Sequence, residues 1–161
     1  MEPLRAILDR LDRLESEHAI RRLKAEYMRA CDEQRGAAIA DLFWPDGVWE
    51  SIGGASATFG CLEGRSAIAD AFAANPARYT FTTHYLTNEA IEVDGDRAVG
   101  RWYLFEPLTH RAQRAYWMGG WYLDDFERRD GEWRFARLRL SVTFRTPFDI
   151  GWVEERCVDL P

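Results

Sequence analysis

The chain has 161 residues, 47% hydrophobic and 30% charged, which suits one globular domain with a full core. Its net charge is −6 and acidic residues accompany the arginines nearly everywhere, which excludes the basic footprint that nucleic acid requires. Aromatics reach 14%, with seven Trp, enough rings to fill a core and still line a pocket.

The N-terminal stretch MEPLRAILDRLDRLESEHAI has no h-region of a signal peptide and no transmembrane run, so the expectation is a cytoplasmic protein without membrane contact. Its leucines and isoleucines, Leu4, Ile7, Leu8, Leu11 and Leu14, recur at helical spacing, and Ile20, Leu23 and Tyr27 continue the rhythm. Ser16 with Glu17 predicts a break and a new N-cap. A short helix over 36–43 leads into WPDG (44–47), a turn signal. Trp49 to Ile52 reads as a strand, and 64–74 as a helix stopped by Asn75-Pro76. From residue 79 the pattern changes to strands: 80–93, the hairpin turn DGDR (94–97), 98–107, 114–129, the turn DGE (130–132), and 133–144. His110 falls in what reads as a loop. Helices followed by a meander predict an α+β fold, N-terminal helices packed on a curved antiparallel sheet that encloses a cone-shaped pocket, in a single domain over 1–161.

No phosphate-loop, dinucleotide, serine-hydrolase or zincin motif is present. The three cysteines, Cys31, Cys61 and Cys157, form no CxxC pair, so neither a disulfide framework nor a zinc site is expected.

The stretches IRRLKAEYMRACDEQR, LFWPDGVWE, FTTHYLTNEAIEVDGDRAVGRWYL and GGWYLDDFERRDGEWRFARLRLSVTFRTPF, ordered within about residues 15–152, resemble the SnoaL-like branch of the nuclear-transport-factor-2-like superfamily. The resemblance is nearest to the group holding scytalone dehydratase, bile-acid dehydratase and hexachlorocyclohexane dehydrochlorinase. It implies a cofactor-free and metal-free site built on a His–Asp pair, matched here by His84 in TTHYLTN and Asp32 in ACDEQR. It also implies a Tyr five residues before the Asp (Tyr27), a Trp after the PDG turn (Trp49), and a second carboxylate at Glu106. A basic residue on the last strand would be Arg137 or Arg139. Homo-oligomers, trimeric or dimeric, are implied as well.

Such residues suit an elimination. A carboxylate that takes the Nδ1–H of a histidine fixes its tautomer and stabilises the imidazolium formed when the ring removes a proton. The expected function is therefore a lyase of dehydratase type acting on a small hydrophobic cyclic or polycyclic molecule. A noncatalytic ligand-binding module and a polyketide-cyclase-like or isomerase activity are the alternatives. Each residue also has a structural reading. His84 can be a satisfied strand histidine, Asp32 a helix-end cap, and Tyr27 and Trp49 core rings. Glu106 can lie at the surface before Pro107. Arg137 and Arg139 share a face with Trp133 and Phe135 by strand alternation, and enter the pocket only if that face is concave.

Overall fold

The computed structural model describes residues 2–54, 60–111 and 114–160. The elements are α1 (Glu2–Asp32), α2 (Gly36–Asp41), β1 (Phe43–Gly54), β2 (Cys61–Glu63), α3 (Arg65–Ala73), a 3-10 turn (Asn75–Ala77), β3 (Tyr79–Thr82), β4 (Tyr85–Asp94), β5 (Arg97–His110), β6 (Arg114–Arg129) and β7 (Glu132–Pro147). No helix of the described residues is long and apolar enough to cross a membrane.

The expected break at Ser16 does not occur. Pro3 sits in the first turn, where a missing N–H costs nothing, and no Gly or Pro follows before Asp32, so α1 runs unbroken. Ser16 is buried instead, its hydroxyl 3.4 Å from the Arg128 guanidinium. The apolar stripe changes character there. Leu4, Ile7, Leu8, Leu11 and Leu14 are exposed, whereas Ile20, Lys24, Tyr27 and Met28 are buried against the sheet.

The sheet has the order β2-β1-β7-β6-β5-β3, with β4 also pairing β5. Strands β4 to β7 form the predicted antiparallel meander, turned at Gly95 and at Asp130-Gly131, all with positive φ. β1 joins β7 in parallel, so the sheet is mixed rather than wholly antiparallel. The WPDG segment lies inside β1 as an irregularity between Phe43 and Val48 and not as a free turn. A Cβ on Gly47 would come within 2.9 Å of the Trp44 carbonyl, which explains the glycine. The predicted strand over 80–93 is interrupted at Thr83-His84, which separates β3 from β4. His110 is no loop residue; it ends β5, buried, with its ring 5.6 Å from that of Tyr79.

Two irregularities in β7 matter most for the site. Asp125 and Phe126 pair with Arg137 and Phe135, and Gly119 and Gly120 with Phe144 and Val142, so Ala136 and Thr143 are each an extra residue. Each insertion reverses which alternate side chains face inward. Trp133 and Phe135 point in, then Leu138, Leu140 and Val142, then Arg145.

The core rings Tyr27, Phe43, Phe126 and Phe135 pack at centroid separations of 4.8–6.2 Å. Within them lies an ion pair, Lys24 Nζ to Asp124 Oδ2 at 2.7 Å, with both side chains almost wholly inaccessible to solvent. The Lys24 ammonium sits 3.5 Å from the Tyr122 ring centroid, a cation–π contact. Burial pushes the Lys24 ammonium down and the Asp124 carboxyl up, and each partner's charge opposes the effect. Removing one partner strands a buried charge, whereas replacing both with apolar groups removes the desolvation cost as well. Asp124→Ala is expected to cost about 3–5 kcal/mol in urea denaturation. The double variant Lys24→Met with Asp124→Leu is expected to recover most of that loss.

Candidate active site

Helix α1 turns Lys24, Tyr27 and Cys31, at spacings of three and four, toward the sheet, and Tyr27 and Cys31 line the hollow. Asp32 is the last residue of the helix, and its carboxylate reaches the gap between β3 and β4. There it receives the His84 backbone N–H at Oδ2 (3.2 Å) and holds His84 Nδ1 at Oδ1 (2.6 Å). The interruption of the strand thus places a ring and its own amide on one carboxylate.

On the other side, His84 Nε2 lies 3.3 Å from Glu106 Oε2. Alternation along β5 puts Glu106 inward with Trp102 and Leu104, and it is buried, so the surface reading does not hold. Burial disfavours the charged imidazole, but Glu106 and Asp32 outweigh it and hold the His84 pKa above its ordinary value. Burial likewise raises the Glu106 carboxyl, with His84 opposing and Asp32 reinforcing. With Asp32 accepting the Nδ1–H, Nε2 of the neutral ring bears the lone pair and faces the Glu106 carboxyl.

These groups open on a cavity of about 80 Å³. Tyr27, Trp49, Tyr122 and Leu140 contribute to its wall. Tyr27 Oη accepts the Trp49 indole N–H at 2.7 Å, and burial holds the Tyr27 and Tyr122 phenols in their protonated, donor form. Cys31 also faces the cavity, but burial pushes its thiol up, which removes it as a nucleophile near neutral pH.

Arg137 and Arg139 do not line the cavity. The extra residue at Ala136 turns them to the other face of the sheet, where both pair with Glu50 and Arg139 also with Asp125. The arginine brought inward is Arg145, two irregularities further along, which strand alternation from Trp133 could not have identified. Its Nε donates to the Val158 carbonyl at 2.8 Å, its backbone pairs with Arg156 and Val158, and Leu160 thereby closes part of the cavity wall. A cavity of about 80 Å³ is roughly half the ~150 Å³ that accepts benzene in a protein core. A polycyclic molecule therefore exceeds this cavity.

No group of three His, Cys, Asp or Glu side chains suited to a metal occurs among the described residues. Two polar atoms of the wall, Asn75 Oδ1 and Thr82 Oγ1, are buried without a hydrogen-bond partner among the described residues. Neither residue stood out in the sequence.

A curled mixed sheet closed by an N-terminal helix, with an imidazole clamped by the helix-terminal aspartate, defines a class of small pocketed α+β proteins. A family model described as a SnoaL-like domain matches residues 12–139, and the chain belongs to this family, within the nuclear-transport-factor-2-like fold. Gamma-hexachlorocyclohexane dehydrochlorinase of Sphingobium indicum is 29% identical over 144 residues, covering 85% of this chain and 86% of that protein. An uncharacterised protein of Mycobacterium tuberculosis is 30% identical over 131 residues, 78% of this chain and 82% of its own. The crystal structure of a hexachlorocyclohexane dehydrochlorinase from Novosphingobium barchaimii superposes with a TM-score of 0.75 at 26% identity, over 86% of this chain and 93% of that one.

The electrostatics predict the behaviour of His84. Its ring is expected to titrate above the ordinary 6.5, and Glu106→Gln, which removes the facing negative charge, is expected to move that titration down. Because the folded state binds this proton more tightly than the unfolded chain, the His84 contribution to stability is full below about 6.5. It is lost as pH rises through the folded value. A proton NMR titration of the ring, run on both proteins, measures the shift.

Proposed function

We propose that this protein is a cofactor-independent lyase that eliminates water or another leaving group from a small, largely apolar molecule, with His84 as the general base. The observation that carries the reading is the 2.6 Å contact between His84 Nδ1 and Asp32, made by residues 52 apart in sequence at the edge of a cavity. Asp32 fixes the ring so that Nε2 can take a proton from carbon, a role that contributes about 10²–10⁴ in rate. The phenol of Tyr27, already accepting from Trp49, donates to a substrate oxygen on which negative charge develops. Trp49 and Leu140 supply apolar contact. The likeness to dehydrochlorinases supports proton abstraction from carbon as the shared step. A buried imidazole held between two carboxylates supports a catalytic reading over a binding-only module.

We infer further that the protein assembles with copies of itself. Tyr85, Tyr103 and Phe105 are exposed on the outer face of the sheet, and Phe105 stacks on Trp117 at 5.4 Å. Light scattering is expected to give a dimer or a trimer.

For the activity, a panel of cyclic β-hydroxy ketones and γ-hexachlorocyclohexane is incubated with the protein and the products are identified by mass spectrometry. At least one member is expected to lose water or HCl. His84→Ala is expected to lower turnover by about 10²–10⁴ and Asp32→Asn by about tenfold or more, with unchanged circular dichroism. Turnover undiminished in His84→Ala refutes the assignment.

A further inference from the structure

The first half of α1 carries an apolar surface that the cavity and its chemistry do not use. Leu4, Ile7, Leu8, Leu11 and Leu14 are 47–62% exposed. At about 100° per residue, their mean direction lies roughly 180° round the helix from that of the buried Ser16, Ile20, Lys24, Tyr27, Met28 and Ala30. The chain's own core therefore cannot cover them. We propose that this stripe is an interaction surface for a second copy of the chain, packed helix against helix in parallel over residues 4–14. The surface is separate from the outer sheet face and independent of the role given to His84.

Pattern and charge select the occupant. Leu4 and Leu11 fall at a of a heptad, Ile7 and Leu14 at d, with Leu8 beside them at e. Arg10 then falls at g and Glu15 at the following e, the two positions that meet across a parallel pair. Two-fold symmetry makes that contact twice, Arg10 of each helix against Glu15 of the other. Neither side chain makes an ion pair within its own chain among the described residues. An antiparallel pair covering the same leucines would set Arg10 against Arg10. Beyond Leu14 the same side carries the exposed His18, Arg22 and Arg29, so the apolar seam ends there. A lipid surface fits less well. Residues 2–15 hold Glu2, Asp9, Asp12 and Glu15 against Arg5, Arg10 and Arg13, without the cationic excess that anionic lipid attracts.

The helix is held ready for this contact. Arg128 Nη1 and Nη2 donate to the two oxygens of Asp12 at 2.7 and 3.1 Å, and its Nε donates to Asp96 at 2.7 Å. The same guanidinium lies 5.3 Å from the centroid of the Trp133 ring. One arginine of β6 thus ties the stripe-bearing segment to the β4–β5 turn and to β7. An isolated helix of this length is marginal in water, because its first turn is costly to nucleate. Here the turns are already formed by continuity with the packed half of α1, so association orders little that was not ordered before.

Sedimentation of the full chain over a range of concentrations tests this. Ile7→Glu with Leu11→Glu places charge in the seam and is expected to weaken self-association about tenfold or more, with Tm at low concentration unchanged. Arg10→Glu or Glu15→Arg alone is expected to weaken it roughly fivefold, and the two together to restore it. In a background of Cys61→Ser with Cys157→Ser, Ile7→Cys treated with oxidised glutathione is expected to form a disulfide-linked dimer, since a parallel pair sets position 7 against position 7. Unchanged association in the Ile7→Glu, Leu11→Glu variant overturns the proposal, and so does failure of the double charge exchange to restore it. Cross-linking only between Ile7→Cys and Leu11→Cys chains shows an antiparallel pair and overturns it as well. Binding to phosphatidylglycerol vesicles that the Ile7→Glu, Leu11→Glu variant loses, without any change in association, assigns the stripe to lipid instead. Association lost in Phe105→Glu but kept in every helix variant leaves the outer sheet face as the interface and the helix proposal refuted.

Discussion

The arrangement depends on one carboxylate at the end of one helix. Asp32 accepts two hydrogen bonds from a single residue 52 positions away, one from the His84 amide and one from its ring. The first ties the gap between β3 and β4 to α1; the second fixes the tautomer. Shifting α1 by one residue would swing the carboxylate away by about 100°, following from 3.6 residues per turn, and both contacts would go together. The position of α1 is in turn held by Lys24, two turns earlier, whose charge is fixed against Asp124 on β6. A core ion pair that contributes little net stability can still specify register, and here the register it specifies is that of the aspartate.

Much of the site was legible in the sequence because its motifs, ACDEQR and TTHYLTN, resemble those of a known family. The inward turn of Glu106 follows from strand alternation with Trp102 and Leu104, whereas Tyr27 and Asp32, five residues and so about 140° apart on the helix, were paired by the resemblance and not by periodicity. His84 was singled out by its setting, although its role depends on an interruption of the strand that the Thr- and aromatic-rich run conceals.

Other features were illegible for definite physical reasons. Alternation carries a strand assignment only until an extra residue intervenes, and β7 has two, so Arg137 and Arg139 turn outward while Arg145 turns inward. The Lys24–Asp124 pair joins residues 100 apart, each ordinary in its own segment. Ser16 caps no helix because no Gly or Pro interrupts α1, and its hydroxyl lies instead beside Arg128. Asn75 and Thr82 stand out only because one buried polar atom of each has no partner among the described residues, which is a property of the folded chain.

The parallel seam between β1 and β7 bears on how the molecule assembles. The meander from β4 to β7 closes by short hairpins and can form early, whereas β1 must find β7 across most of the chain before Phe43 meets Phe135. Trp49 travels with β1, and with it the hydrogen bond to Tyr27. The wall that carries Trp49 is thus built by a long-range pairing, unlike the hairpins that build the rest of the curled sheet.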